Sequence, residues 1–414
     1  MRLLILGGGS GQLAAIKKAK EKGHEVIVSD YYEDAPGKSY ADYGETVSTF
    51  DIRGNIAVGR KYNIDGVMTS GTDQPVYTAA EVASSLNLPF FLSLQTAKAV
   101  TNKRDMKNNF RKYNIPTVKF KILAKNFSAV ELDGFDFPVV IKPLDNQGQR
   151  GVFKLNSLTE IRDKFLEVLE FSQEEEILLE EYYDSKEITV SGWVHKGQLY
   201  ILTVTDRIRY GNSLHIGVCT AHIFPSSFLR GYYQEIMVIS QKIVQSFKIK
   251  NGPIYFQMLI GDEGIKVNEI ACRIGGAYEG DFMPHLTGVD ILDLMVDLSL
   301  ADDLKIKHLQ DYKLLNNKKW LSVQLFFARP GRISRMSSVD ELTGLPCVMQ
   351  AGFNFSHGDR IGKIENATER AGYFIVEGKN RAGLKENISR VYNQLKICDS
   401  SGRNLVMREL GEVL

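Results

Sequence analysis

The chain has 414 residues, 43% hydrophobic and 24% charged, a make-up that suits a globular protein of roughly two to four domains. Lys and Arg total 51 against 50 Asp and Glu, and this near balance excludes a protein working mainly by non-specific attraction to nucleic acid or an anionic membrane. Cys219, Cys272, Cys347 and Cys398 lie far apart, with no pair at zinc-ligand or redox-motif spacing, so reduced thiols and a cytoplasmic location are expected. No apolar run is long enough to span a bilayer, and the start reads as a strand, not a signal peptide.

The first hundred residues alternate strand and helix. Residues 3–6 form a short apolar run, followed by the glycine loop Gly7-Gly8-Gly9-Ser10-Gly11. Residues 12–22 have helical spacing, 26–28 read as a strand ending near Asp30, 52–62 as a helix, 66–68 as a strand and 77–86 as a helix. That alternation implies a parallel sheet with helices on its faces. A strand, glycine loop and helix in this order can set backbone N–H groups against a phosphate, and Asp30 can accept from a ribose. The third glycine of that fingerprint is replaced by Gln12, so the loop marks a fold more than a dinucleotide site.

From Lys98 to Lys125 there are nine basic residues and one acidic residue, Asp105. Beyond Pro116 the chain turns strand-rich, with strands expected at 118–123, 139–142, 151–155, 177–180 and 187–194 and a helix at 158–169. A strand at 199–206 and a long amphipathic helix at 229–247 follow. Strands at 254–260 and 264–270 then flank the turn Gly261-Asp262-Glu263-Gly264. After Asn317 short strands with Gly and Pro turns lead to a helix at 382–395.

Three segments carry the chemistry. Lys142 sits in the apolar strand 139–142, and the loop Asn146-Gln147-Gly148-Gln149-Arg150-Gly151 comes just after it. With Lys103 upstream, two lysines and a glycine loop suit a triphosphate, whose charge they neutralise and whose oxygens the loop amides bond. Next, Glu180-Glu181-Tyr182-Tyr183 ends an apolar strand; its backbone can pair with the adenine edge and Glu187 can reach ribose hydroxyls, though an acidic surface loop reads equally well. Finally, Glu269, Ala271 and Arg273 alternate with apolar neighbours and share one face, where a carboxylate and a guanidinium can hold a metal and a phosphate side by side.

In order and spacing these segments resemble the ATP-grasp superfamily of carboxylate–amine ligases, in the branch of biotin carboxylase, phosphoribosylglycinamide synthetase and L-amino-acid ligase. The resemblance implies a multi-domain α/β and α+β protein: a parallel, Rossmann-like pre-ATP-grasp domain (1–98), an ATP-grasp lid region with linker helices (99–195), an ATP-grasp core with the metal strand (196–318) and a small, mainly β C-terminal domain (319–414). It implies that Lys103 and Lys142 contact ATP phosphates and that Gly148 belongs to a mobile phosphate-covering lid. Glu180 and Glu187 then bind the adenine amino group and the ribose, and Tyr183 is the adenine hinge. Glu269 becomes a magnesium ligand, and Arg273 steadies an acyl phosphate. Gln257 takes the place of a first acidic ligand, and its oxygen coordinates without adding charge.

The cofactors implied are ATP and Mg2+, with Mn2+ able to substitute. The partners are a small-molecule carboxylate and an amine, with no nucleic acid or membrane, and the family implies a homodimer. Asp206, Arg207, His222, Arg329 and the loop Gly275-Gly276-Ala277 are candidate substrate contacts. The expected reaction is ATP-dependent activation of a carboxylate as an acyl phosphate and its transfer to an amine. A purine-pathway ligase of phosphoribosylglycinamide synthetase type stays open. So do a non-catalytic nucleotide-binding protein, motivated by Gln257, and an oxidoreductase built on the N-terminal loop.

Overall fold

The structure is a computed structural model that describes residues 1–210 and 216–411. Its first sheet is parallel, with strand order Tyr43–Glu45, Glu25–Ser29, Arg2–Leu6 and Gly66–Thr69. Both faces of this sheet are covered, which is why its strands are apolar throughout and do not alternate. Leu4, Leu6, Ile27 and Val67 pack under the helices Ile52–Tyr62 and Pro75–Leu86, while Leu3, Ile5, Val26 and Val28 pack under Leu13–Glu21.

The glycine loop after the first strand is filled by its own chain. The Gly8 N–H donates to Asp30 Oδ2 at 2.7 Å, and the Gly8 carbonyl accepts from Gly37 N–H at 2.6 Å. Asp30, the candidate ribose acceptor, is therefore spent on the backbone. Gln12 is buried and its Nε2 donates to Ser70 O at 2.7 Å, tying this loop to the next strand end. The oxidoreductase reading loses its ribose acceptor and the amides of Gly7 and Gly8.

A second, antiparallel sheet runs Phe120–Ala124, Glu176–Glu181, Val139–Pro143, Phe153–Leu155. Val139, Ile141, Ile177 and Leu179 point into a core closed by the helix Leu158–Leu169. By the two-residue period, Val140, Lys142, Leu178 and Glu180 face the other way.

The third sheet has eight antiparallel strands in the order Gly264–Ala271, Asn251–Gly261, Lys186–His195, Gln198–Tyr210, Val218–Phe224, Trp320–Phe326, Gly372–Gly378 and Val348–Phe353. The division expected at 195/196 falls within a hairpin of this sheet, turned by Lys196 and Gly197 with φ of 51° and 81°. The division expected at 318/319 precedes a strand that pairs directly with Val218–Phe224, so the sheet runs unbroken from Gly264–Ala271 into the C-terminal segment. All four cysteines are free and buried, and among the described residues no helix is long and apolar enough to cross a membrane.

Candidate active site

A cavity of about 320 Å³ lies between the four-stranded antiparallel sheet, the eight-stranded sheet and the loop after Gly66–Thr69. Lys103, Lys142, Gly148, Glu180, Tyr183, Glu187, Gln257, Glu269 and Arg273 all line it.

Lys103 owes its place to a helix, Lys103–Lys112, whose first turn is capped by Asn102 Oδ1 accepting from the Arg104 and Asp105 N–H groups. Met106 and Phe110 bury the core side of that helix. Lys103 Nζ donates to Asn146 O at 2.5 Å and lies 3.5 Å from Glu269. One turn later, Lys107 is fully buried and reaches the same region.

Lys107 and Lys142 share one carboxylate. Glu180 Oε1 is 2.6 Å from Lys107 Nζ, and Oε2 is 2.5 Å from Lys142 Nζ. The pairing follows from register: Val140 lies opposite Glu180, so Lys142 is its diagonal neighbour on the same face. Burial pushes the Glu180 carboxyl up, but the two ammonium groups outweigh it and hold the group down at about 2. Burial of Lys142 is likewise overcome by Glu180, which raises its pKa. At Lys107 burial wins, and the pKa falls.

The hairpin of Asn251–Gly261 and Gly264–Ala271 carries a bulge. Gln257 pairs with Glu269 but Met258 pairs with Val267, leaving Asn268 as the extra residue. Simple alternation would aim Asn268 away from Glu269; instead Gln257, Asn268 and Glu269 all line the cavity. Lys142 Nζ donates to Asn268 Oδ1 at 3.2 Å, and Asn268 Nδ2 donates to Gln257 Oε1 at 3.3 Å. Burial raises the Glu269 carboxyl, but Lys103, Lys142 and Arg273 together draw it below the ordinary range, so it stays ionised. One carboxylate and two amide oxygens form an all-oxygen donor set that suits magnesium, which commonly takes one or two carboxylates and completes its shell with phosphate and water.

Arg273 is fixed from the far side of the chain. Its Nε donates to Asp73 Oδ1 at 2.7 Å, and its guanidinium lies 4.5 Å from the Tyr255 ring centre. Asp73 follows the parallel sheet, and its approach requires two glycines to touch. The Gly71 N–H donates to Ile274 O at 3.0 Å, and a Cβ on Gly276 would lie 2.5 Å from Gly71 O. Gly276→Val should therefore force these loops apart and destabilise the protein by about 1–3 kcal/mol. Its melting temperature should fall below wild type in a thermal melt, and an unchanged value would show that this contact bears no strain. Behind the loop, buried Glu279 accepts from Gly275 N–H at 2.7 Å and from Ser191 Oγ at 2.5 Å.

Glu187 is held by Arg207 at 3.0 Å and Arg209 at 3.4 Å through Oε2, while its Oε1 has no partner. Tyr183 is anchored by its hydroxyl, which donates to Gly264 O at 2.9 Å. Gly148, at φ +73°, adopts the left-handed conformation that this turn needs, and its carbonyl accepts from Ala367 N–H at 3.1 Å.

Of the candidate substrate contacts, Arg207, His222, Gly276 and Ala277 line the cavity. His222 is buried, with Nδ1 3.1 Å from Thr205 Oγ1, and burial together with Arg207 pushes its pKa down to about 3, so it is neutral. Two candidates are corrected. Asp206 caps the chain at Ser226 and Ser227, with Ser226 Oγ donating to it at 2.5 Å. Arg329 turns outward to Glu409 and to Val406 O. Asp73, Lys107, Asn268 and Arg370 belong to the site or its support and carried no motif that marked them.

Two family models match the chain: the ATP-grasp domain over residues 135–281 and the L-amino acid ligase C-terminal domain 2 over residues 323–398. The L-arginine-specific L-amino acid ligase of Bacillus subtilis is 20% identical over 403 residues, covering 92% of this chain and 94% of that protein. The phosphoribosylamine–glycine ligase of Lactococcus lactis is 20% identical over 334 residues, covering 75% and 77%. The crystal structure of an L-amino acid ligase from Bacillus licheniformis superposes with a TM-score of 0.81 at 16% identity, covering 96% of this chain and 98% of that one. These matches give the chain an ATP-grasp domain over residues 135–281 and make it similar, over most of its length, to carboxylate–amine ligases of the ATP-grasp superfamily.

Proposed function

We propose that this cavity converts a small-molecule carboxylic acid into an acyl phosphate and passes the acyl group to an amine. The observation that carries this reading is the convergence, under one glycine lid, of Lys103, Lys142 and the Glu269–Gln257–Asn268 oxygens with the buried guanidinium of Arg273. In the first step a carboxylate oxygen bonds to the γ-phosphorus as the β–γ bridging bond breaks, releasing ADP. In the second, the amine nitrogen bonds to the carbonyl carbon, the carbon–oxygen bond to phosphate breaks, and the nitrogen loses a proton. Such phosphoryl transfer needs positioning and charge neutralisation more than covalent catalysis.

Each residue has a part. Lys103 and Lys142 neutralise phosphate oxygens, and Glu180 aims Lys142. Because a lysine ammonium lies within 2.6 Å of each Glu180 oxygen, we assign this carboxylate the part of orienting the two lysines. Glu187 keeps Oε1 unpartnered as the acceptor for a ribose hydroxyl, beside the Tyr183 hinge. Glu269, with Gln257 and Asn268, is the set that would hold Mg2+ or Mn2+, which when bound supplies further neutralisation of the phosphates. Arg273, fixed by Asp73, stabilises the acyl phosphate, and the lid at Gly148 excludes water from it.

The test is hydroxylamine trapping. Protein, magnesium-ATP and hydroxylamine are incubated with pooled amino acids, small organic acids and purine intermediates, while ADP and hydroxamate are followed. Hydroxamate from one pool is the expected result and identifies the donor acid. Nucleotide binding with neither hydroxamate nor ADP release from any pool would count against the ligase reading and favour a non-catalytic binding protein.

A further inference from the structure

The loop 146–151, the lid of the proposed function, is fastened to three distant parts of the chain. Lys103 Nζ donates to Asn146 O at 2.5 Å, Ala367 N–H donates to Gly148 O at 3.1 Å, and Asp73 N–H donates to Gln147 Oε1 at 2.5 Å. Of these fastenings, only the last uses a side chain of the loop, and it reaches back to the parallel-sheet part of the chain. The turn that carries Gln147 is braced from within. Buried Asn146 accepts through Oδ1 from the Gln147 N–H at 2.7 Å and from Arg150 Nη2 at 2.6 Å, and its Nδ2 donates to Phe171 O at 2.7 Å. Gln147 therefore extends from a framed turn and moves with the loop as one piece.

The place where Gln147 lands gives the contact its meaning. Asp73 Oδ1 accepts from Arg273 Nε at 2.7 Å, and Asp73 O accepts from Val76 N–H at 3.0 Å in the turn that opens the helix Pro75–Leu86. The glycine contact at Gly71 brings this loop up to Arg273, and Gln147 fixes the peptide that carries the carboxylate. A path of two hydrogen bonds thus runs from the loop to the guanidinium, through the Asp73 N–H and then through Asp73 Oδ1. The residue type suits the task. An amide oxygen accepts without charge, whereas a carboxylate at 147 would set a second anion beside Asp73 and oppose the nucleotide phosphates of the proposed function.

We propose that Gln147 is a positioning residue, which acts through Asp73 to align Arg273 when the lid is down and releases it when the lid lifts. With the loop away, the Asp73 N–H loses its acceptor and the carboxylate loses the restraint that aims Arg273. Phosphoryl transfer is thereby confined to the state from which water is excluded, so that ATP is not hydrolysed in an open site. The inference rests on the proposed ligase reading for the word transfer, but the contact itself can be measured without turnover.

Amide hydrogen exchange is followed in wild type, Gln147→Met and Gln147→Glu, with magnesium and a non-hydrolysable ATP analogue present. Methionine keeps the length and loses the oxygen, while glutamate keeps the oxygen. The Asp73 amide should exchange about tenfold faster in Gln147→Met, as expected for one lost hydrogen bond, and stay near wild type in Gln147→Glu. In turnover, measured as hydroxamate formation, kcat should fall about tenfold in Gln147→Met while KM for ATP moves far less, the mark of an interaction realised at the reacting centre. Gln147→Glu should recover kcat and show a higher KM for ATP instead, because its charge opposes the phosphates. Asp73→Asn supplies a second background, since it weakens the hold on Arg273 and leaves the N–H of residue 73 in place. There Gln147→Met should cost no more than about twofold, because the two residues act in one path. If Asp73→Asn does not fold, Arg273→Lys carries the same comparison.

The proposal is overturned if Asp73 exchange is unchanged in Gln147→Met, if Gln147→Glu fares no better than Gln147→Met in kcat, or if the loss recurs in full beside Asp73→Asn. Hydroxamate formed at the wild-type rate by Gln147→Met would likewise remove it and leave the ligase reading intact. Asp73 exchange that obeys Gln147, with no hydroxamate from any acid, would remove the ligase reading and the transfer that this contact serves, while the link between Gln147 and Asp73 stands.

Discussion

Glu269→Ala is expected to lower turnover by about a thousandfold while leaving a folded protein. Glu269 is the one carboxylate in the oxygen set proposed to hold the metal; Gln257 and Asn268 contribute dipoles but no charge. Without it, the hairpin holds a divalent cation by neutral oxygens alone. The fold should survive because the Glu269 side chain remains 24% accessible and its cationic neighbour Lys103 keeps a hydrogen bond to Asn146 O. Lys103 and Lys142 remain on the cavity wall to meet the phosphates of the proposed function, so nucleotide binding should weaken far less than kcat.

Lys142→Ala should show the opposite split. On the proposed function it removes a phosphate contact and leaves Glu180 in an ion pair with Lys107, a neutral arrangement, so the main effect should be a higher KM for ATP. Steady-state kinetics on both variants, with melting temperatures as the control for folding, decide the matter. Wild-type kcat in folded Glu269→Ala protein would sink the metal assignment. The lowered Glu269 pKa adds a pH expectation: the carboxylate stays ionised below the ordinary carboxylate range, so protonation of this group should not limit activity as pH falls to about 4.5.

The residues that the sequence made legible are those whose neighbours are ordinary for their element. Lys142 stands out because the apolar strand around it offers no reason for a charge, and the glycine loop stands out because it follows within a few residues. Other parts of the site depend on departures from local pattern. Asn268 enters the cavity only because a bulge breaks the two-residue alternation, and no residue type at that hairpin announces a bulge. Lys107 was hidden in a stretch read for its positive charge; its helix, Lys103–Lys112, gives the i, i+4 step that puts it beside Lys142. Asp73 meets Arg273 across 200 positions of sequence, a contact set by two glycines packed loop on loop. Arg329 misled for the converse reason: it sits at a strand end near the site in sequence, but its side chain turns to Glu409 at the surface.

Replacing Glu180 should produce a large loss of stability. Glu180→Gln keeps the shape and removes the charge that Lys107 and Lys142 share. Two ammonium groups are then left side by side, Lys107 with no solvent contact at all and Lys142 only 8% exposed. Removing one partner of a buried ionic group costs about 3–5 kcal/mol, because the desolvation of the remaining charge is no longer offset. A fall of about 10 °C in melting temperature is expected on that scale.

The pH dependence gives an independent check. The folded pKa of Glu180 is depressed to about 2 from its ordinary 4.5, so its contribution to stability is complete above about pH 4.5 and drains away as pH falls toward 2. That shift corresponds to about 3 kcal/mol, of the same order as the loss expected on mutation. Between those pH values Glu180→Gln should therefore lose stability less steeply than wild type, and the two curves should converge. The double variant Glu180→Gln, Lys107→Met should recover part of the loss at neutral pH, since it removes the ammonium that has no access to the cavity and leaves Lys142 to face it. A single variant melting within about 2 °C of wild type at pH 7 would mean that water or a shifted Lys107 proton already relieves the pair, and that the buried triad does not hold Lys142 in place.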